Sequence, residues 1–174
     1  MENMAKILKR YFRDIKEEGK FSDVAVLIAG GIIFFFGVFV TALDFIVIQR
    51  MLYRFDFVSL IGLVLLLTGS ALRAQARRLL GEYFSPVVRI LPEHKLIRHG
   101  VYKYIRHPGY LGELLLYFSV PLLFHSLYGV FVMVFLIPFI LYRIRVEEKM
   151  LIEKFGDEYR DYMRKSKRFI PYVF

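Results

Sequence analysis

Residues 93–113 read EHKLIRHGVYKYIRHPGYLGE, and this polar stretch lies between long apolar segments. It contains three histidines, four Lys or Arg residues, three tyrosines, three glycines and one proline. Segments as apolar as its neighbours cannot form a water-exposed surface, so they are typical of membrane spans. We therefore expect residues 93–113 to form a loop at a membrane face, where a functional site can lie.

The overall composition predicts an integral membrane protein. The chain of 174 residues suffices for one domain, and its 57% hydrophobic content and mean hydropathy of +0.47 exceed the usual values of soluble proteins. The net charge of +9 does not indicate a nucleic-acid partner, because Lys and Arg fall between the apolar runs and not on a soluble module. The absence of cysteine excludes disulfides, thiolate metal sites and a cysteine nucleophile.

Two uncharged runs in the first half predict membrane-spanning helices. Residues 24–43 carry no charge and continue past Asp44 to Ile48, which is enough for one crossing. Asp44 is expected to reach headgroup water, and Gly30 and Gly31 allow another helix to approach closely. Residues 57–72 form the second run, whose helix is expected to continue towards Gly81.

A third uncharged run, residues 114–142, is longer than one crossing requires. Pro121 and the polar residues 125–129 favour a turn in its middle, which predicts a helical hairpin and about four transmembrane helices. The tail then continues as a helix to Phe155. Gly156 is expected to end this helix, and Asp157 to cap a short amphipathic helix that reaches about Lys167.

The positions of the positive charges predict the orientation. Residues 1–23, 73–108 and 143–174 together hold 23 Lys and Arg residues, whereas the two opposite turns hold 2. This asymmetry places both termini and the central loop in the cytoplasm. The predicted order is an amphipathic N-terminal segment at 1–23, spans 1 and 2 within 24–84, and a C-terminal unit at 85–174.

The loop and the start of the tail helix share one membrane face, so they can form a composite site. Arg143 and Glu147 lie four residues apart on one side of a helix, although a surface ion pair is the simpler interpretation of that pair alone. The histidine spacings match no common zinc pattern, so we expect no metal. The remaining candidates from the loop are His94, Tyr102, Arg106, His107 and Tyr110.

Two motifs resemble those of the isoprenylcysteine carboxyl methyltransferase family and its phospholipid methyltransferase relatives. They read HKLIRHGVYKYIRHPGYLG at 94–112 and RIRVEEKMLIEKFGDEYRDY at 143–162. The resemblance covers about residues 85–174 and implies that they form a methyltransferase core. It also implies an S-adenosylmethionine-dependent membrane enzyme that methyl-esterifies the carboxylate of a prenylcysteine or a similar lipophilic acid at the cytoplasmic face.

The same resemblance implies roles for individual residues. Arg143 matches the position that contacts the substrate and is the expected catalytic residue. Val87 stands where mammalian members have a glutamine, so one cofactor contact differs. The positions that match the cofactor-binding residues are His94, Lys95, Leu96, Ile97, Tyr102, His107, Pro108, Gly109, Tyr110 and Glu147.

Two other functions stay open at this point. A phosphatidylethanolamine N-methyltransferase would need a general base, for which His99 or Glu148 is the candidate. A non-enzymatic membrane scaffold or a small transporter is the second alternative. Transporters need polar groups near the bilayer midplane, whereas this chain keeps nearly all of its charge at one face.

Overall fold

The computed structural model describes residues 21–85 and 95–169, and these ranges are almost entirely helical. Residues 1–20 of the predicted amphipathic segment, and also His94 and Val87, lie outside the described residues. The helices are α1 (Phe21–Leu43), α2 (Phe57–Leu80), α3 (Pro108–Leu123), α4 (Leu127–Val134), α5 (Leu136–Phe155) and α6 (Asp157–Lys165).

Helix α1 confirms the first predicted span and continues as a π-helical turn over Asp44–Ile48. Large apolar side chains such as Ile32 and Phe35 are exposed along it, as lipid-facing residues are. The expectation for Asp44 is wrong, because only 6% of this residue is exposed. Helical periodicity places Asp44 on the same face as Gly37 and Thr41, and this face packs against α4.

Helix α2 begins at a capping box and ends at Gly81, as predicted. The Asp56 carboxylate accepts hydrogen bonds from the backbone N–H groups of Val58 at 2.8 Å and Ser59 at 3.2 Å. Gly81 has a φ of 52°, which stops the helix. His125, in the turn after α3, lies 2.8 Å from the Asp56 carboxylate, so the turn is attached to the start of α2.

Helices α2 and α3 touch through their backbones. A Cβ atom added at Gly112 would lie 2.7 Å from the Gly69 carbonyl oxygen, and one at Gly69 would lie 2.8 Å from the Gly112 carbonyl oxygen. The close approach expected at Gly30 and Gly31 is not found, because no described atom lies within 4 Å of a Cβ at either position. The tight α2–α3 crossing fixes the start of α3, where the loop motif ends.

The chain reverses between α3 and α4. His125 adopts a positive φ of 53°, and the Ser126 hydroxyl accepts from the N–H of Gly129 at 3.0 Å to cap α4. Three helical segments are long and apolar enough to cross a membrane, at Val24–Ile48, Phe57–Tyr83 and Leu127–Phe155. Helix α3 has only 16 residues, so four crossings stay a prediction.

The tail folds back onto the central loop. Gly156, with a φ of 55°, occupies the cap position predicted for Asp157, which is instead the first residue of α6. A left-handed glycine is needed there, because α6 turns sharply away from α5. Beyond α6, the N–H of Lys167 donates to the Tyr104 carbonyl at 3.0 Å, and the N–H of Arg106 donates to the Lys167 carbonyl at 2.7 Å.

A buried carboxylate stabilises the packing of the tail against the central loop. Glu148 of α5 is 4% exposed, and its oxygens lie 3.1 Å from Arg106 Nε and 2.7 Å from an Arg168 guanidinium nitrogen. His107 Nε2 lies 3.3 Å from the same carboxylate. Phe169 adds an apolar contact with the buried Ile144 of α5. One residue of α5 thus joins the loop and the end of the tail.

We expect Gly112→Ala to destabilise the protein, because its Cβ would meet backbone atoms of α2 that cannot move aside. Overpacking of this kind costs about 1–3 kcal/mol. Thermal unfolding in detergent micelles, followed by far-ultraviolet circular dichroism, measures the effect. Gly30→Ala is the matched control, since its Cβ meets no described atom and alanine favours the helix. Equal melting temperatures for the two variants would contradict the α2–α3 contact.

We expect Glu148→Gln to release the end of the tail, because the neutral side chain no longer compensates the charges of Arg106 and Arg168. Removing one member of a buried ion cluster costs about 3–5 kcal/mol. Faster tryptic cleavage after Lys167 is the measurable consequence. Glu153→Gln in the same helix is the control, because its side chain is 64% exposed and lies 4.0 Å from Lys149. Identical cleavage rates would show that Glu148 does not hold the tail.

Candidate functional site

A cavity of about 190 Å³ lies where the central loop, α3, α5 and α6 converge. Leu27 of α1 and the end of α2 complete its wall, so it borders the apolar helices on one side. Its polar wall comes from the loop, the start of α3, α5 and α6, together with Arg73 of α2 and with Tyr83 and Ser85 just beyond that helix. The tail brings α6 against the loop, so the cavity depends on the fold-back described above.

The structure brings most of the predicted site residues together around this cavity. Lys95 is exposed and does not line it, and Pro108 is buried at the first position of α3 without facing it. The ring of the buried His107 lies 5.8 Å from that of Tyr110 and also contacts Glu148. The predicted residues that line the cavity are Leu96, Ile97, Tyr102, His107, Gly109, Tyr110, Arg143 and Glu147.

Helix α5 contributes a cation and an anion one helical turn apart. Arg143 and Glu147 both line the cavity, and Tyr110 of α3 lies against them. The Arg143 guanidinium carbon is 5.5 Å from the centre of the Tyr110 ring, and Glu147 follows Arg143 by one turn of α5. A planar, charged donor and a carboxylate acceptor are therefore positioned side by side.

Two further arginines in the wall are engaged in ion pairs. Arg73 lies 2.8 Å from the Glu113 carboxylate, which also accepts from Tyr117. Arg106 is paired with Glu148 and donates to the carbonyls of Met163 and Ser166. These contacts hold the cavity wall together, and Arg143 and Glu147 add charged groups to the same wall.

The opposite wall is apolar and rich in tyrosine. Leu151, Tyr159 and Tyr162 form a buried cluster against which Leu96 packs. The Tyr162 hydroxyl donates to the Tyr102 carbonyl at 2.6 Å, and burial raises the pKa of Tyr162 to about 12. This bond ties α6 to the loop.

Tyr159 differs from its neighbour. It is 1% exposed and lines the cavity, and its hydroxyl has no hydrogen-bond partner among residues 21–85 and 95–169. A buried polar group left unsatisfied costs about 1–3 kcal/mol, so such groups are rare in folded proteins. Burial raises the pKa of Tyr159 above its usual range, and the nearby carboxylates of Glu148 and Glu147 raise it further. Its hydroxyl therefore stays a donor.

Sequence reasoning missed both Tyr159 and the role of Glu148. Each lies inside the second quoted motif, so their positions were visible, but their partners depend on how the tail packs. Within the described ranges no three His, Asp or Glu side chains are close enough to hold a metal ion. The cavity lining combines a carboxylate with apolar and aromatic side chains, which suits an organic ligand that has both a cationic and an apolar part.

Comparisons with known proteins identify the family of this chain. Residues 60–153, more than half of the chain, match the isoprenylcysteine carboxyl methyltransferase (ICMT) family. A rice relative (Oryza sativa subsp. indica) named "Probable protein-S-isoprenylcysteine O-methyltransferase" is 38% identical over 125 residues, which cover 70% of this chain and 65% of the relative. The Saccharomyces cerevisiae protein-S-isoprenylcysteine O-methyltransferase is 36% identical over 118 residues, 66% of this chain and 49% of the yeast protein.

A solved structure described as the eukaryotic intramembrane Ras methyltransferase ICMT is similar as well. It superimposes with a TM-score of 0.65 at 27% identity, covering 86% of this chain and 52% of that chain. The chain thus spans about half to two thirds of the length of these relatives. The family match includes the first motif, at 94–112, and the beginning of the second, and the chain belongs to the isoprenylcysteine carboxyl methyltransferase family, as an all-α membrane protein.

Proposed function

We propose that this protein is an S-adenosylmethionine-dependent methyltransferase that esterifies the carboxylate of a prenylcysteine or a similar lipophilic acid. The observation that supports it most is the placement of Arg143 and Glu147 in one cavity against Tyr110. This cavity is also lined by apolar helices, from which a lipid-borne acid can approach. The family match supports the reaction class, and the lining of the cavity supports the choice of residues.

The side chains that line the cavity are chemically suited to S-adenosylmethionine, which has a cationic sulfonium group and an aromatic base. Leu96, Ile97 and Tyr102 supply apolar and aromatic surface, and the Glu147 carboxylate supplies the negative charge that a cationic ligand requires. His107, Gly109 and Tyr110 complete the same wall. When bound, S-adenosylmethionine supplies a sulfonium methyl group that is transferred to a carboxylate oxygen as the carbon–sulfur bond breaks.

Arg143 orients the acceptor. A guanidinium can hold a carboxylate through two parallel hydrogen bonds, which fixes the direction of its oxygens. A carboxylic acid is already ionised at neutral pH, so the acceptor needs no general base. The contribution of the protein is then placement: Arg143 holds the acid while the loop and Glu147 hold the methyl donor.

The N-methyltransferase alternative finds less support in the described residues. It needs a base for the amine, yet Glu148 is engaged with two arginines and His107, and His99 is exposed. Neither side chain lines the cavity. The carboxyl acceptor remains the proposal, with membrane lipids as neighbours and no nucleic-acid partner.

The proposed orientation follows the positive charges. Four crossings, with α3 as the short one, would place the loop, α6 and both termini in the cytoplasm. The water-soluble methyl donor would reach the cavity from that side. The lipophilic acid would reach it from the bilayer.

We expect Arg143→Gln to lower kcat/KM for an N-acetyl-S-prenylcysteine by about 10- to 100-fold, because hydrogen bonds to the carboxylate are lost. Calorimetric affinity for S-adenosylhomocysteine should stay unchanged. Arg145→Gln is the matched control, since Arg145 is exposed and two positions away on α5. Wild-type kcat/KM in the Arg143 variant would remove this residue from the substrate site.

The acceptor class is tested with the purified protein and S-adenosylmethionine in mixed micelles that contain both an N-acetyl-S-prenylcysteine and phosphatidylethanolamine. We expect mass spectrometry to find a methyl ester on the acid and no methylated amine. The reason is that the cavity offers a guanidinium for a carboxylate, whereas the two candidate bases, His99 and Glu148, do not line it. Methylated phosphatidylethanolamine with unmodified acid would reverse the assignment.

A further inference from the structure

Tyr159 carries a hydrogen-bonding group that the fold itself does not use. The side chain is fully enclosed, with 1% of the residue exposed, and its hydroxyl has no partner in the part of the chain that the structure describes. Its neighbour Tyr162, three residues later in α6, has a satisfied hydroxyl in the same cluster. Membership of this cluster therefore does not explain why the Tyr159 hydroxyl lacks a partner among the described residues, whereas the Tyr162 hydroxyl has one.

The surroundings of Tyr159 point to a ligand. Its side chain lines the cavity that also contains Glu147 and Tyr102, and Leu96 packs against the same cluster. A hydroxyl buried among apolar side chains gains most from a partner that arrives with the ligand, since water competes little there. Because burial and two carboxylates keep the hydroxyl protonated, it can donate.

We propose that the Tyr159 hydroxyl donates a hydrogen bond to the bound methyl donor, which makes Tyr159 an additional cofactor-binding residue. This inference rests on the proposed function, because the ligand it names is the cofactor of that reaction. It adds a contact from α6 to a site otherwise built by the loop, α3 and α5. Helix α6 of the tail would then contact the methyl donor only when the cavity is occupied.

The test compares three single-oxygen deletions in the full chain. Tyr159→Phe should weaken S-adenosylhomocysteine binding, measured by calorimetry, by about 3- to 10-fold, the loss expected for one neutral hydrogen bond. In the ligand-free protein, the melting temperature of this variant should be unchanged or higher, because an unsatisfied group is removed. A merely structural tyrosine would lose stability and not affinity.

Tyr162→Phe and Tyr104→Phe are the comparisons. Tyr162→Phe removes the bond to the Tyr102 carbonyl, so the ligand-free melting temperature should fall. Tyr104 is 53% exposed, and its variant should match the wild type in both measurements. Opposite stability changes in the Tyr159 and Tyr162 variants, with weaker binding in the former, are the expected result.

Two results would overturn the inference, and they are distinguishable. Wild-type affinity in Tyr159→Phe, or a melting temperature lowered as in Tyr162→Phe, would show that the hydroxyl does not contact the ligand, and the proposed function would stand. No binding of S-adenosylhomocysteine or S-adenosylmethionine by the wild-type protein would overturn both the contact and the proposed function.

Discussion

The buried Glu148 carboxylate is the interaction on which the site depends. It joins Arg106 and His107 of the loop, Arg168 of the tail and helix α5, which are far apart in sequence. Backbone hydrogen bonds at Tyr104 and Arg106 and the Tyr162 hydroxyl also tie the loop to the tail, and Glu148 joins both of them to α5. This ion cluster is one source of order in the protein, and it lies beside the apolar contact of Phe169 with Ile144 of α5.

The second source is the close contact of α2 and α3 at Gly69 and Gly112. In a bilayer, helices gain little from burying apolar side chains, because lipid is equally apolar, so close backbone packing becomes important. The crossing sets where α3 begins, and α3 begins with the residues of the loop motif. Packing inside the apolar layer thereby places groups such as Tyr110 at its edge.

The parts of the fold that follow from local chemistry were predictable. Uncharged runs gave the bounds of the first two spans, and Gly81 and Gly156 ended helices where a left-handed residue is needed. The hairpin turn likewise lies where polar residues interrupt the third run. Partners across space were not predictable. Gly30 and Gly112 look equivalent in the sequence, and the burial of Asp44 depends on which face of α1 meets α4.

The candidate site likewise has features that the sequence predicted and features that depend on tertiary packing. The two motifs marked the residues that gather at the cavity, because those positions were recognised as a pattern. The pattern did not contain information on the burial of each side chain or on its hydrogen-bond and ion-pair partners. Lys95 is exposed and does not line the cavity, and Glu148 is engaged in ion pairs with two arginines. The Tyr159 hydroxyl has no hydrogen-bond partner within the described ranges. These differences arise only when the tail is packed onto the loop.

Helix α5 begins among the apolar residues that follow α4 and carries Arg143 seven residues later, about 10 Å further along its axis. The guanidinium and the lipid-embedded part of the protein therefore move as one rigid rod. A thinner or thicker bilayer would shift or tilt this rod to match its hydrophobic length. If Arg143 holds a lipid-borne acid as proposed, the depth at which the two groups meet would depend on membrane thickness, and the composition of the host membrane would affect how well they align.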